Sequence, residues 1–254
     1  MTSKLEELRD QVATACRIIG MLELSSPTQG HVSLRLPGEE RCFIRARGPG
    51  ETGLRYTSRD DVILVDFEGR LIEGGEGLSV PVEVFIHTAL YRARPDVNSV
   101  IHIHPATVVL FTICDTPLLP VIGAFSPSAL ELAAENRISR YDRSILIRDA
   151  ALGGELAQAM GPSSSVCLMR GHGITSVGRD VPEATINAVH LNELADINYR
   201  ARLIGTPRPI SDADLATFAA MRERGRGGAG AGRPGPQVTS LWRYYVRRLE
   251  ELGL

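Results

Sequence analysis

Apolar residues first recur at helical spacing. Leu5, Leu8, Val12, Cys16 and Ile19 share one face of a segment from Lys4 to about Met21, which predicts an amphipathic opening helix. The period then changes. His31-Val-Ser-Leu-Arg-Leu36 alternates, Cys42-Phe-Ile-Arg45 is short and apolar, and Val62-Ile-Leu-Val-Asp66 is β-branched, so strands are expected there. Asp66-Phe-Glu-Gly69 carries turn residues and leads into Arg70-Leu-Ile72, as a hairpin would. A helix is expected from Pro81 to about Arg94, because proline suits a first helical turn and Pro95 closes the run. Ser99 to His104 reads as a strand stopped by Pro105, Asp149 to Met160 as a helix, and Ser165 to Met169 as a short apolar strand. Arg170-Gly-His-Gly173 is a loop, and Asp180 stands where it can cap a long helix from Val181 to Ile204.

Strands and helices mix without a strict βαβ alternation. That order predicts one α/β domain whose sheet is mixed or mainly antiparallel and covered by helices. The domain is expected to span residues 1–223. Residues 224–237 are dominated by glycine, arginine and proline and predict a mobile loop. Helical periodicity resumes across Leu241-Trp-Arg-Tyr-Tyr-Val-Arg-Arg-Leu-Glu-Glu-Leu252, so residues 238–254 are expected to form a helix docking on the domain or on a neighbouring subunit.

Bulk properties narrow the function. The chain has 254 residues, 43% of them hydrophobic and 23% charged, which is ordinary globular composition. A net charge of −2 provides no general field for nucleic acid or an anionic membrane. Local arginine patches, Arg45 to Arg55 and Arg222 to Arg233, suit a small anionic substrate better than a polyanion. No apolar run has the length of a membrane span, and the first ten residues lack the apolar centre of a signal peptide, so a cytoplasmic protein is expected. The four cysteines are scattered and form no C-x-x-C pair, which suggests neither a disulfide framework nor a zinc knuckle. Cys16 and Cys167 read as small buried hydrophobes.

Ile101-His-Ile-His104-Pro105 is the sharpest chemical feature. Side chains two apart on a strand share a face, so His102 and His104 point together and Ile101 and Ile103 point away. Two such imidazoles can share an ion, although two satisfied polar residues at a strand end would look the same. Arg170-Gly-His172-Gly173 adds a third imidazole on a turn made flexible by its glycines. Glu83, near the start of its helix, is the candidate carboxylate; a solvated first-turn glutamate is the alternative. His87, one turn later on that helix face, is expected in a structural or supporting role rather than as a ligand. His190 reads as packing or surface.

Glu83, His102-x-His104 and Gly171-His172-Gly173, in that order and spacing, resemble the class II aldolase/adducin family. That family contains fuculose-phosphate and rhamnulose-phosphate aldolases, ribulose-phosphate 4-epimerase and several decarboxylases. The resemblance spans roughly residues 5–205 and includes Gly30-His-Val-Ser33 and the Thr57 to Gly69 stretch. It implies an α/β fold of three layers, α/β/α, around a central, largely antiparallel sheet. It also implies a divalent metal (zinc ahead of manganese, iron or cobalt) held by His102, His104 and His172, with Glu83 doubling as acid/base. A homotetramer with active sites at subunit contacts is implied as well. A late tyrosine, Tyr244 or Tyr245, is a candidate proton donor.

The chain departs from the sugar-phosphate members where they carry phosphate donors. Gly30-His31-Val32-Ser33 stands for Gly-Asn-x-Ser, Arg47-Gly48 for Ser/Thr-Gly, and Pro81-Val82 for Ser-Ser. Two hydroxyl donors are lost and a guanidinium is gained, which suits a carboxylate. Arg35 has the same fork geometry, and a plain surface charge is the other reading of Arg47. His31, Ser33, Arg47 and Gly48 are therefore the expected binding residues for a small-molecule carboxylate. The pattern resembles the branch that decarboxylates dihydroxyphthalate-type acids and carboxylated ring-fission products. Retro-aldol cleavage of a hydroxy-ketone and an iron-dependent oxygenase are alternatives compatible with the same ligands. A non-enzymatic module of the adducin-head type is disfavoured, because those heads lose the ligands that this chain keeps.

Overall fold

The computed structural model describes residues 2–135, 137–226 and 236–254. The amphipathic opening segment forms α1 (Thr2–Met21), and the alternating segments form β1 (His31–Arg35), β2 (Arg41–Arg45), β3 (Val62–Asp66) and β4 (Leu71–Glu73). There follow α2 (Val84–Ala93), β5 (Ser99–Ile103), α3 (Ala106–Ile113), α4 (Pro127–Ala134), β6 (Ile138–Tyr141) and α5 (Ala150–Met160). The chain then runs through β7 (Val166–Met169), β8 (Gly173–Gly178), α6 (Val181–Ile204), α7 (Asp212–Arg226) and α8 (Pro236–Glu251).

The strands form one sheet in the order β4-β3-β2-β1-β5-β8-β7-β6. Every described pairing is antiparallel except β6 with β7. β5 is central and buried on both faces, and it divides two cores. Ile101 and Ile103 join Val12, Ile19 and Leu191 on the α1 and α6 side. Val100 joins Ile86, Leu90 and Tyr91 of α2 and Leu156 of α5 on the other. The result is a sheet between two helical layers, with each fully buried Ile or Leu contributing about 1.5–3 kcal/mol.

Asp180 and Asp149 cap α6 and α5, accepting from Glu183 N at 2.8 Å and Leu152 N at 2.9 Å. The helix expected from Pro81 begins later, at Val84. Pro81 to Glu83 form a turn in which Val84 N–H donates to Pro81 O at 3.0 Å, because the Glu83 side chain is drawn inward instead of standing on a helical turn. Within the segment 224–237 where a loop was expected, Arg224 to Arg226 finish α7, and Pro236 and Gln237 open α8. Residues 227–235, the remainder of that loop, lie outside the described residues. α8 packs on α1 and α6 of its own chain, with Leu249 buried and Trp242 against the core. No helix among the described residues is long and apolar enough to cross a membrane. Cys16 and Cys167 are buried, as expected, and Cys42 is too, whereas Cys114 is exposed.

Candidate metal centre and active site

Three elements deliver the site. β5 carries His102 on the α2 face and ends one residue before His104. The β7–β8 connection delivers His172, and its two glycines are required. Gly171 adopts φ +57°, and any side chain on Gly173 would collide with the His104 ring and the Ile103 carbonyl. Gly171 N–H donates to Thr112 Oγ1 at 3.0 Å, which pins the loop to α3. Glu83 comes from the N-terminus of α2. Its Oε1 accepts from the Ile147 backbone N–H at 3.0 Å, so Oε2 is left to face the imidazoles.

The ligand atoms of Glu83, His102, His104 and His172 all lie within 4.8 Å of one another. Glu83 Oε2 is 3.5 Å from His102 Nε2 and 3.4 Å from His172 Nε2. His104 Nε2 is 3.0 Å from His102 Nε2. Donors about 2.0–2.1 Å from a shared tetrahedral ion would stand about 3.4 Å apart, so these separations match a cation at their centre. Both ring nitrogens of His172 are buried without a hydrogen-bond partner, an arrangement costly for a polar group that binds nothing. The donor set fits a divalent metal.

Protonation agrees with that. Burial pushes His102 down, and burial together with His102 and His172 pushes His104 down to about 3, so both are neutral. Burial raises the carboxyl of Glu83, but its close contacts with the His102 and His172 imidazoles outweigh that and hold it well below the usual carboxylate range. Glu83 is therefore anionic. His104 Nδ1 lies 2.9 Å from Gln29 Oε1, which makes Nδ1 the donor and leaves Nε2 free to bind. Gln29 gave no signal in the sequence, since a lone loop glutamine has no spacing to betray it.

The expected binding residues divide. His31 sits opposite His102 in the β1–β5 register, with ring centroids 5.3 Å apart. Ser33 is fully buried, and its hydroxyl is engaged by His87 and Tyr91. It lies behind His31. Arg47 reaches from the loop after β2, where its Nη1 contacts the Thr28 carbonyl and pairs with Glu51 at 2.9 Å. Arg45 also holds Glu51, at 2.5 Å, so one carboxylate serves two guanidiniums, and Asp61 and Glu76 stand nearby. Burial and the neighbouring histidines chiefly oppose protonation of His31 and His104, and Arg47 adds a smaller push in the same direction. Arg45, Arg47, Gly48, Glu51 and Thr57 line a concavity of about 150 Å³. Arg35 does not join it, because its guanidinium stacks over Tyr91 and Phe67. His190 is buried on α6, 3.5 Å from Glu193. Tyr244 and Tyr245 pack on each other at 5.3 Å, near Glu193, and neither touches the metal ligands among the described residues.

This chain matches the family described as Class II Aldolase and Adducin N-terminal domain over residues 10–199. It belongs to that family. It is 37% identical over 243 residues to a 3,4-dihydroxyphthalate decarboxylase of Terrabacter sp. (strain DBF63), covering 95% of this chain and 96% of that protein. A 3,4-dihydroxyphthalate decarboxylase of Arthrobacter keyseri is also 37% identical, over 212 residues, covering 82% of this chain and 84% of that protein. Among solved structures, an L-fuculose 1-phosphate aldolase from Glaciozyma antarctica PI12 superposes with a TM-score of 0.78 at 21% identity, covering 97% of this chain and 91% of the other. At that identity the likeness concerns the fold alone.

Proposed function

We propose that this class II aldolase-family member is a metal-dependent lyase that decarboxylates an ortho-dihydroxy aromatic dicarboxylic acid of the dihydroxyphthalate type. The observation carrying this reading is a full set of metal-ligating side chains near the Arg45 and Arg47 guanidiniums, in a chain 37% identical to a dihydroxyphthalate decarboxylase over nearly its whole length. A divalent cation bound by His102, His104 and His172 would supply Lewis-acid stabilisation of negative charge on a substrate oxygen. Glu83, being anionic, enters as a base. Its Oε2 takes the proton of the hydroxyl beside the departing carboxylate and returns it to the ring carbon. A proton thus replaces carbon dioxide at that carbon, and solvent reprotonates the hydroxyl oxygen. Arg47, with Gly48 at the same concavity, holds the carboxylate that stays, and His31 flanks the reacting oxygen.

An Arg–carboxylate contact is worth roughly 1.5–3 kcal/mol, so Arg47→Ala should lower kcat/KM by about 10- to 100-fold. Lysine there should restore only part of it, because it keeps the charge and loses the fork. The assay compares ortho-dihydroxy aromatic acids and carboxylated ring-fission products with ketose 1-phosphates. Faster turnover of the sugar phosphates, or unchanged kinetics on the acids in Arg47→Ala, would return the chain to the aldolase branch.

Assembly as a homotetramer with sites at subunit contacts belongs to the same proposal. Support comes from apolar side chains left exposed around the site: Leu110 and Ile113 on α3, with Ile113 beside Gly171, and Leu146 next to Ile147. Light scattering at micromolar concentration should give four times the chain mass; a monomer would remove the shared site.

A further inference from the structure

Behind His31 runs a buried line of hydrogen bonds that the reaction above does not use. β1 presents His31 and Ser33 to α2, where His87 and Tyr91, one turn apart, lie over them. His31 Nδ1 is 2.7 Å from His87 Nε2, His87 Nδ1 is 2.6 Å from Ser33 Oγ, and Ser33 Oγ is 2.5 Å from Tyr91 Oη. All four residues are at most 3% exposed, so solvent cannot rescue a mismatched donor and each proton must have one place.

One placement of the protons gives each short contact in this line a donor and an acceptor. Tyr91 has Ser33 Oγ as the acceptor for its hydroxyl, and burial keeps that phenol protonated. Ser33 then has one proton and two acceptors, His87 Nδ1 at 2.6 Å and the Val100 carbonyl at 3.4 Å; the shorter contact takes it. With Nδ1 accepting, neutral His87 carries its proton on Nε2 and donates to His31 Nδ1. His31, buried and neutral, must then carry its own proton on Nε2.

We propose that His31 presents a fixed Nε2–H donor to substrate beside His102, with its tautomer set by Ser33 through His87. The inference rests on the reading of the site as one that gathers negative charge on a substrate oxygen, which a preorganised N–H would stabilise. Ser33 and His87 are positioning residues; His31 is the group that touches substrate. The opposite tautomer would make His31 Nε2 an acceptor, able to serve as a base or a fourth imidazole ligand.

Solid-state ¹⁵N NMR of protein labelled at histidine, metal-free and zinc-loaded, reads the tautomers directly, with signals assigned from His31→Gln and His87→Gln. Both rings should show protonated Nε2 and unprotonated Nδ1 in either state. In Ser33→Ala, His87 loses its donor and should turn its Nδ1–H to the Val100 carbonyl, inverting both tautomers. The kcat should then fall about 10- to 100-fold with KM within about threefold. Ser33→Thr should restore both the spectrum and most of the rate. Tyr91→Phe leaves the Ser33 proton on His87, so the tautomers should persist and kcat should change by less than about threefold. A His31 with protonated Nδ1, a zinc-induced shift of His31 Nε2 marking it as a ligand, or a Ser33→Ala spectrum unchanged from the parent would overturn the proposal. The spectra are taken without substrate, so this inference and the decarboxylase assignment can fail separately.

Discussion

Replacing His102 or His104 with alanine is expected to remove the divalent ion and, with it, more than about a thousandfold of the activity. The parent chain should hold about one ion per chain by elemental analysis. The size of the effect follows from geometry. Nε2 of His102 stands 3.0 Å from His104 Nε2 and 3.5 Å from Glu83 Oε2, so it is the donor common to the cluster. Its loss also leaves a cavity in a fully buried stretch of β5, so stability must be checked alongside. His104 lies at the edge of the strand, and His104→Ala should unfold at nearly the parent temperature while still losing metal. Full occupancy in the double variant would place the ion outside this set.

The second large effect belongs to Glu83. Glu83→Gln keeps an oxygen to accept from the Ile147 N–H, preserving the turn before α2, but it cannot take up a proton. General acid–base groups contribute about 10²–10⁴-fold, so kcat should fall by about that factor while metal content stays near one per chain. The pairing of the two readouts matters. If Glu83 served chiefly as a ligand, the variant would lose metal and be rescued by excess cation. A variant retaining both its metal and its kcat would assign the proton transfer to another residue.

Much of the fold and of the site is legible in the sequence, for reasons particular residues make plain. α6 was readable end to end because Asp180 caps it and helical spacing runs unbroken to Ile204. His102 and His104 were readable because a strand fixes the side-chain period at two, and His172 because its flanking glycines permit a turn that no other residue could make beside Ile103. Other parts were not legible. β8, Gly173-Ile-Thr-Ser-Val-Gly178, is short and polar in part, and it becomes a strand only by pairing between β5 and β7. α3 is built of Val-Val-Leu-Phe-Thr-Ile, residues that favour strands, and tertiary packing on α6 overrides that preference. Ser33 was expected at the substrate because it stands where sugar-phosphate members carry a serine; alternation fixes its face but not its depth, and the fold buries it beneath His87 and Tyr91. Gln29 and the Tyr91 hydroxyl act across the fold, and no local pattern announces a partner dozens of residues away.

Metal-dependent release of carbon dioxide is the property that decides the function. Protein stripped of metal with a chelator should be given 3,4-dihydroxyphthalate labelled with ¹³C at both carboxyls, and labelled carbon dioxide followed by mass spectrometry before and after adding one equivalent of zinc or manganese. The account predicts release below about 1% of the reconstituted rate without metal, recovery on adding it, and one labelled carbon lost per molecule consumed, as expected when the Lewis acid supplies several kcal/mol of the stabilisation. Equal release with and without metal, or a reconstituted enzyme that leaves both labelled carboxyls in place, would contradict it.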